Sequence, residues 1–362
     1  MKIGILKEAD DPRVAIVPAT LPKLQDLGLE ILLEKGAGLN AMFDDKDYEG
    51  AKALSRADLL KQADILISIF PLSDKDLKSL DKEKFLIAQF QPYNDADITP
   101  KLQKLNLRAF SLDMIPRTTL AQAMDVLSSM ASIAGYKAVL EAARYLPRYF
   151  PMMITAAGSI RPAKVLVLGA GVAGLQAIAT AKRLGAMVEA FDTRTAAKEE
   201  VESLGAKFVE VEGAVDDTAA GGYAVQQSEE FLQKQRAEVQ ARAIKADVII
   251  TTAQVRGRKA PLLVPKDTIN QMRKGSVIVD LASSTGGNCE LSKDNEVIQH
   301  NGVTIIGNSQ LAALMPEDAS LLFSNNVLNF LKMLVKEGQV DLDMENEIIR
   351  GAYFTAPAEA TN

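Results

Sequence analysis

Residues 164–194 read KVLVLGAGVAGLQAIATAKRLGAMVEAFDTR, and the order of patterns in this stretch decides the fold around it. A short apolar run leads into Gly169, Gly171 and Gly174, which satisfy G-x-G-x-x-G, and a helical pattern follows them. The next apolar run ends at Asp192, 18 residues beyond Gly174. Strand, glycine turn, helix, strand and carboxylate in this order predict a dinucleotide-binding α/β unit.

The residues of this turn have separate expected roles. The first glycine allows the tight turn, the second lets the backbone approach a pyrophosphate, and the third lets helix and strand pack closely. Asp192 is expected to hold the adenosine ribose and to repel a 2′-phosphate, which favours NAD(H) over NADP(H). Arg194 weighs against that preference, because NADP sites use a nearby arginine. The alternative is a glycine turn that only connects two elements.

The alternation of apolar runs and helical patterns continues on both sides of this stretch. Before residue 110, strands are predicted at KIGILKE, LEILLEKGAG, DILISIF and FLIAQF, with helices at PATLPKLQDLG and EGAKALSRADLLKQA. From residue 164 onward, strands are predicted at KVLVLG, MVEAFD, KFVEV, DVIITTA, SVIVDLA and VTIIG. The predicted fold class is α/β, with two Rossmann-like doubly wound parallel-sheet domains.

Two long helical patterns define the expected domain boundaries. The segment 127–147 is rich in small residues and is predicted to form one long helix that joins the domains. The pattern SLLFSNNVLNFLKMLVKE is expected to cross back to the first domain. The expected domains are therefore 1–127 plus about 316–362, and 128–315, with the cofactor in the cleft between them.

A Gly/Ala/Asp-rich stretch at about 213–227 interrupts the strand-helix alternation of the second domain. It is long for a connection within an α/β domain. One interpretation is a flexible insertion. The other is a mobile lid over a ligand, which Gly222 and Tyr223 favour, since a closing loop needs flexible residues and an amphipathic ring.

Composition excludes several classes of function. A net charge of -6 and a pI near 5.2 argue against a nucleic-acid partner. Without a long apolar run or a secretory signal, neither membrane insertion nor export is expected, and the expected location is the cytoplasm. Cys289 and His300 are the only residues of their types, so no zinc cluster and no cysteine–histidine pair are expected. Chemistry here must use a cofactor, or carboxylates, lysines and arginines.

A second group of polar residues lies at 117–128. Arg117 precedes the long helix, and Gln122, Asp125 and Ser128 are three residues apart, so we expect them to share roughly one helical face. One interpretation is helix capping with a solvated face. The other is a polar lining for a nucleotide at the domain interface.

Together these segments resemble a known family. IGILKE, RVAIVP, LPKLQDLGLEILLEKGAG, PRTTLAQAMDVLSSMASIAGY, VLGAGVAGLQAIATAKRLGA, AGGYA and SVIVDLASSTGGNCE resemble the NAD(H)-binding component of proton-translocating nicotinamide nucleotide transhydrogenase, which is its domain I or alpha-1 subunit. The resemblance covers nearly the whole chain. The segment 117–136 and AGGYA are specific to that family, whereas the N-terminal opening is shared with alanine dehydrogenase.

The resemblance implies an enzyme that is active as part of a complex, a transhydrogenase of the Si/Re-specific type. A hydride would pass directly between NAD(H) on this chain and NADP(H) on domain III of a partner, coupled to proton translocation by membrane domain II. The chain would be a homodimer on the inner face of the membrane, attached through partner subunits without inserting itself. No metal is implied.

The family's functional residues carry over to several positions. Those of the segment that holds the nicotinamide ribose and ring, and faces the NADP(H) of the partner, are Arg117, Gln122, Asp125 and Ser128, with Thr118 and Thr119 as further nucleotide contacts. The remaining nucleotide contacts are Gly169, Gly171, Val172 and Gly174 in the turn, Asp192, Thr193 and Arg194 at the adenosine ribose, Gly222 and Tyr223 in the mobile loop, and Gln254.

The chain also departs from the family pattern. Leu120 stands where an arginine is usual, and Leu314 stands where an arginine is often found. The tetrapeptide Gln254–Gly257, QVRG, replaces the usual Leu-x-Pro-Gly. These departures concern the nicotinamide pocket and leave the nucleotide fold unaffected.

Two other hypotheses for the function stay open. A soluble amino-acid dehydrogenase of the alanine type needs a lysine or histidine to handle a proton and an arginine to bind the substrate carboxylate. Arg13 is a candidate for the arginine, but the lysine and histidine of that family would fall at or near Ile69 and Gln89. The third hypothesis is a non-catalytic NAD-binding module.

Overall fold

The computed structural model describes residues 1–211 and 229–357. The chain divides into two compact units, each with its own sheet. Unit 1 consists of Met1–Met130 and Ala313–Asn362, and unit 2 consists of Ala131–Ala312. Among the described residues, no helix is both long and apolar enough to cross a bilayer.

A six-stranded sheet forms the centre of unit 1, and all its neighbouring strands are parallel. Its strands are β1 Lys2–Ile5, β2 Glu30–Glu34, β3 Lys52–Leu54, β4 Ile65–Ile67, β5 Phe85–Ala88 and β6 Arg108–Ser111. Their order across the sheet is β3-β2-β1-β4-β5-β6. This is the doubly wound order, in which the winding reverses between β1 and β4.

Both faces of this sheet are buried, which explains the continuous apolar runs in the sequence. Ile65 and Ile67 of β4 belong to one hydrophobic cluster, and Leu66 belongs to the cluster on the opposite face. Because successive side chains of a strand point to opposite faces, a strand covered on both sides needs apolar residues throughout. The covering helices include α1 Leu21–Gln25, α2 Arg56–Gln62, α3 Asp74–Ser79 and α4 Ile98–Lys104.

Two predictions for unit 1 were incomplete. The segment 49–63, predicted as one helix, begins with strand β3, and α2 starts only after Ser55, whose Oγ accepts a hydrogen bond from the Asp58 backbone N–H at 3.2 Å. β6 was missed, because its sequence RAFS has only two apolar residues. Both strands lie at sheet edges, where the apolar pattern is short.

The long helix predicted for 127–147 is confirmed as α5 Val126–Tyr145. Its small residues have a packing reason in unit 2. A Cβ on Gly135 would overlap the carbonyl oxygen of Ala173, so only glycine allows this close approach. The helix therefore lies directly against the residues that follow the glycine turn.

Unit 2 contains a seven-stranded sheet and a separate two-stranded hairpin. Its strands are β7 Met153–Thr155, β8 Gly158–Ile160, β9 Lys164–Leu168, β10 Met187–Phe191, β11 Lys207–Phe208, β12 Val248–Thr251, β13 Val277–Asp280, β14 Glu296–His300 and β15 Val303–Gly307. Its helices are α6 Val172–Arg183, α7 Ala197–Ser203, α8 Glu229–Lys245 and α9 Lys266–Gln271. The larger sheet has the order β11-β10-β9-β12-β13-β15-β14.

The six strands predicted for this region of the chain are all present, and these observations confirm the predicted α/β class. β14 was not predicted. It runs antiparallel to β15 at the edge of the larger sheet, whereas the other described strands of that sheet pair in parallel. Its residues are mostly exposed or half-buried, so the strand lacks the apolar run that marks its neighbours.

The chain returns to unit 1 after residue 312. This segment contains α10 Pro316–Leu334, β16 Val335–Lys336, β17 Gln339–Val340 and α11 Glu347–Ala352. Phe330 of α10 meets Phe110 of β6 edge-on, with ring centroids 5.7 Å apart, and Tyr353 stacks on Phe110 at 5.0 Å. The apolar face of α10 therefore completes the core of unit 1.

Candidate nucleotide-binding site

The glycine turn of unit 2 connects β9 to α6, and two of its glycines are required by the protein itself. Gly169 has φ +103°, and a Cβ there would lie 2.5 Å from Thr252 Oγ1. A Cβ on Gly174 would overlap the carbonyl oxygen of Gly169. The first glycine therefore allows the turn and the third allows the helix to approach the strand.

Gly171 differs from both, because the protein does not explain it. Its φ of -77° is open to any residue, and a Cβ there would meet no described atom of the chain within 4 Å. It is the N-cap of α6, and no side chain of the described residues caps the helix. The first N–H groups of a helix have no partner within it and carry a partial positive charge. The space in front of Gly171 thus suits a ligand phosphate, so the turn fits a dinucleotide.

Asp192 lies just after β10, beside the same turn. Its Oδ2 accepts a hydrogen bond from the Ala170 backbone N–H at 2.7 Å, and its Oδ1 accepts one from Arg194 Nε at 3.0 Å. Burial would raise the pKa of Asp192, but the hydrogen bonds from Arg194 and from Ala170 outweigh it and lower the pKa. The carboxylate is therefore ionised and fixed against the turn.

The partner of Asp192 also bears on cofactor preference. Arg194 donates to both carboxylate oxygens of Asp192, with Nη2 3.1 Å from Oδ2, and to the Ala170 carbonyl oxygen at 3.2 Å. An arginine held in this way has its charge balanced by the carboxylate. Thr193, between the two, is exposed, as is Val172 at the first position of α6.

Polar residues after β12 and β13 complete this edge of the sheet, and sequence reasoning missed most of them. Thr252 Oγ1 donates to the Gly169 carbonyl oxygen at 3.1 Å. Asn288 is fully buried; its side chain accepts from the Ala253 N–H at 3.0 Å and donates to the Ala253 carbonyl oxygen at 2.9 Å. Gln254, which was predicted, is exposed and donates to the Leu281 carbonyl oxygen at 2.9 Å. The available signal was position, since these residues follow buried strands.

The segment 117–128 lies in unit 1, and its geometry corrects one prediction. Gln122 belongs to a 3-10 helix, Thr119–Met124, whereas α5 starts at Val126, so Gln122, Asp125 and Ser128 do not share one α-helical face. Asp125 precedes α5 as its N-cap. Its carboxylate accepts hydrogen bonds from the Ser128 backbone N–H at 2.9 Å and from Ser128 Oγ at 2.6 Å.

The other residues of this segment lie mostly at the surface. Arg117, Thr119 and Gln122 are exposed, and Leu120 is 77% exposed. Thr118 is half-buried, and its Oγ1 has no hydrogen-bond partner among the described residues although it is shielded from solvent. Leu314, the second position that departs from the family pattern, is also exposed. The segment thus presents polar side chains with one cap holding the start of α5.

The residues required by an amino-acid dehydrogenase are not set up for that chemistry. The Arg13 side chain is only 3% exposed and forms a two-pronged ion pair with Asp11, with Nη2–Oδ2 at 2.6 Å and Nε–Oδ1 at 2.8 Å. Ile69 is part of the hydrophobic core, and Gln89 is buried. A buried arginine with a fixed carboxylate partner is not available to a substrate carboxylate.

Two regions of the predicted site need separate mention. Gly222, Tyr223 and the stretch at about 213–227 lie outside the described residues. Within residues 1–211 and 229–357, no group of three or more His, Cys, Asp or Glu side chains could hold a metal ion.

Fold and site together define a two-unit α/β protein with a Rossmann-type glycine turn. Comparison with known proteins identifies it further: the chain belongs to the alanine dehydrogenase/PNT family. The model of the N-terminal domain of that family matches residues 4–134, and the model of the C-terminal domain matches residues 138–362. The resemblance derived from the sequence is thereby confirmed.

Individual relatives are transhydrogenase subunits. NAD(P) transhydrogenase subunit alpha of Cereibacter sphaeroides is 44% identical over 365 residues, which cover 98% of this chain and 70% of that protein. In Rhodospirillum rubrum, the relative is named as the first of the parts into which subunit alpha is divided. It is 42% identical, over 98% of this chain and 96% of that protein.

Solved structures separate nearer from more distant relatives. A transhydrogenase from Sinorhizobium meliloti is 40% identical with a TM-score of 0.90, covering 97% of both chains. An L-alanine dehydrogenase is 25% identical with a TM-score of 0.81, covering 98% of this chain and 94% of its own. The chain is thus more similar to the transhydrogenase alpha subunits, and alanine dehydrogenase is a more distant relative.

Proposed function

We propose that this chain is the NAD(H)-binding component of a proton-translocating transhydrogenase. It holds NAD(H) while a hydride passes directly to or from NADP(H) on domain III of a partner, and membrane domain II couples this transfer to proton movement. The relatives named as NAD(P) transhydrogenase alpha subunits, at 42% and 44% identity over 98% of this chain, support this assignment.

The state of Arg13 carries the choice between the two enzymes of the family. Its ion pair with Asp11 leaves it unable to bind a substrate carboxylate, and Ile69 and Gln89 offer no proton-transfer group. Reduction of an imine needs such a group, whereas hydride transfer between two nicotinamides needs none. The chain therefore lacks what a small substrate requires and keeps what a dinucleotide requires.

Unit 2 supplies binding and orientation in this proposal. Gly169, Gly171, Val172 and Gly174 offer backbone N–H groups to the pyrophosphate, and Asp192, Thr193 and Arg194 hold the adenosine ribose. The ion pair of Asp192 with Arg194 favours NAD(H), because the balanced arginine gives a 2′-phosphate little attraction. Gln254, Gly222 and Tyr223 are proposed as further contacts. The bound dinucleotide supplies the hydride.

Unit 1 supplies the groups that position the nicotinamide end and face the partner. These are Arg117, Gln122, Asp125 and Ser128, with Thr118 and Thr119 as neighbouring contacts. The cap formed by Asp125 and Ser128 fixes the start of α5, and Arg117 and Gln122 are exposed at the surface, where a nucleotide can reach them. Their proposed task is geometry, since near-attack positioning contributes much of the rate of such transfers.

The proposed assembly follows from this division of labour. The chain acts as a homodimer in the cytoplasm, at the inner face of the membrane, and its partners there are the NADP(H)-binding domain III and membrane domain II. The name of the Rhodospirillum rubrum relative, which describes one portion of a divided subunit alpha, supports the existence of further subunits.

A reconstitution experiment tests the proposed function. The chain is mixed with a purified domain III that carries NADP⁺, and NADPH formation from NADH is followed while domain III is titrated. We expect a rate that rises with domain III and exceeds that of either component alone. No rate above the separate components would refute the proposal. Reduction of NAD⁺ that depends on alanine or another amino acid would establish the alternative.

A further inference from the structure

Unit 1 contains a cavity of about 370 Å³ with no assigned role. It lies where β1 and β4 end, at the point where the winding of the sheet reverses. Its polar lining comes from Lys7, Glu8, Glu34, Arg56, Ser68 and Asp76. Ligands of doubly wound sheets bind at this switch point, and small-molecule pockets have volumes of about 300–1,000 Å³.

Glu34 repeats the hydrogen-bond pattern of Asp192. Asp192 follows the second strand of its unit and accepts from Ala170 N–H, two residues beyond β9, and from an arginine. Glu34 ends the second strand of unit 1, and its Oε2 accepts from Lys7 N–H, two residues beyond β1, at 2.8 Å and from Arg56 Nη1 at 2.8 Å. The position and partners of Glu34 are therefore those of a ribose-binding carboxylate.

The turn after β1 differs at the position that matters for phosphate. Glu8 is the third residue after β1, as Gly171 is the third after β9. The Glu8 carboxylate is buried and accepts hydrogen bonds from the backbone N–H groups of Ile69 at 2.7 Å and Phe70 at 3.3 Å. Burial raises its pKa to about 7, so the group is ionised at pH 8. A carboxylate thus stands where unit 2 leaves space for a pyrophosphate.

The charges of the lining reinforce this difference. Arg56 is shared between Glu34 and Asp76, with Nη2 3.0 Å from Asp76 Oδ2. Lys7 adds one positive charge, so the lining has a net charge of about -1 once Glu8 is ionised, which disfavours a phosphate. Leu6, Phe70, Pro71 and Leu72 supply apolar surface in the same cavity.

From this juxtaposition we propose that the cavity of unit 1 binds a nucleoside without phosphate, with Glu34 accepting the ribose hydroxyls and Glu8 excluding phosphorylated ligands. The apolar residues receive the base. The site is separate from the glycine turn of unit 2 and independent of the proposed hydride transfer.

Adenosine is the probe for the first test, at pH 8 with the protein saturated with NADH. Calorimetry gives the stoichiometry, and NADH fluorescence reports whether NADH is displaced. We expect one adenosine per chain with NADH still bound. AMP and 2′-deoxyadenosine should each bind about tenfold more weakly, because one meets Glu8 and the other lacks a hydroxyl for Glu34. No binding, displacement of NADH, or equal affinity for AMP would overturn the proposal.

Two variants locate the site, and a third serves as a control. Glu34→Gln should weaken adenosine binding about tenfold, and Glu8→Gln should bring the affinity for AMP close to that for adenosine. Glu83→Gln, at an exposed position of unit 1, should change neither. Thermal unfolding shows that each variant is folded. If folded Glu34→Gln and Glu8→Gln bind all three ligands like the unmodified chain, the proposal is wrong.

Discussion

The two sheets of this protein share one strand order around their first strand, yet the turns that follow those strands differ. In both units the third, second, first, fourth and fifth strands lie side by side. After β9 the chain reads Gly169-Ala170-Gly171, and after β1 it reads Leu6-Lys7-Glu8. The end of the second strand carries a carboxylate that accepts the same backbone N–H in both units.

This difference teaches that the doubly wound fold provides a crevice but does not choose its ligand. A Cβ at Gly171 would point into space that no described atom of the chain occupies, whereas Glu8 fills the equivalent turn with a carboxylate. We therefore expect unit 2 to hold the dinucleotide and unit 1 to contribute only through residues 117–128.

The largest effect is expected from placing the acidic residue of unit 1 in the turn of unit 2. Gly171→Glu should weaken NADH binding at least about 100-fold, because the new carboxylate would face the pyrophosphate. The free energy of unfolding should change by only about 0.5 kcal/mol, since the site has room for a side chain. Fluorescence titration and denaturant unfolding measure the two quantities.

Gly171→Gln is the matched control, because it has the same size without the charge. Its loss of affinity should be clearly smaller than that of Gly171→Glu. Equal losses would mean that size alone excludes the ligand, and the comparison of the two turns would lose its electrostatic basis.

A second substitution tests which glycine is structural. Gly174→Ala should destabilise the protein by about 3 kcal/mol, because its Cβ would overlap the Gly169 carbonyl oxygen and the backbone of the turn would have to move. Gly171→Ala should leave stability unchanged. Urea unfolding of the two variants side by side checks this, and similar stabilities would contradict the assigned packing.

Substitutions in unit 1 should affect transfer more than binding. Asp125→Asn and Gln122→Asn should slow hydride transfer to domain III about tenfold, while the Kd for NADH changes less than about twofold. Asparagine is also a good N-cap, so Asp125→Asn keeps the start of α5. Single-turnover kinetics and NADH titration separate the two effects. Equal losses in rate and affinity would place these residues in binding instead.

The smallest effect compares the two carboxylates directly. Asp192→Asn should weaken NADH binding about fivefold and reduce the preference for NADH over NADPH, because Arg194 loses its charged partner. Glu34→Gln, which alters the corresponding carboxylate of unit 1, should leave NADH affinity unchanged. The affinities of both variants for NADH and NADPH decide the matter, and a weakened Glu34→Gln would break the proposed separation.

Much of the fold was predictable because its signals are local. The glycine turn, the apolar runs of the central strands and the small residues of α5 all act on neighbours in sequence. β3 and β14 were missed, because edge strands are partly exposed and lack continuous apolar runs.

The candidate site was less predictable, because its contacts join distant residues. Thr252 bonds the Gly169 carbonyl oxygen 83 residues away, and the pairing of Arg13 with Asp11 depends on burial that no pattern reveals. Residues spaced by three suggested one helical face at 122–128, but the chain changes from a 3-10 helix to an α-helix within that segment.

The central claim is that the dinucleotide gives its hydride to another nucleotide. NADH deuterated at the transferred C4 position, mixed with this chain and with domain III carrying NADP⁺, tests it in one turnover. Mass spectrometry of the products should find the deuterium in NADPH, with none lost to water. Deuterium in the solvent, or transfer only when an amino-acid substrate such as pyruvate with ammonium is added, would contradict the claim.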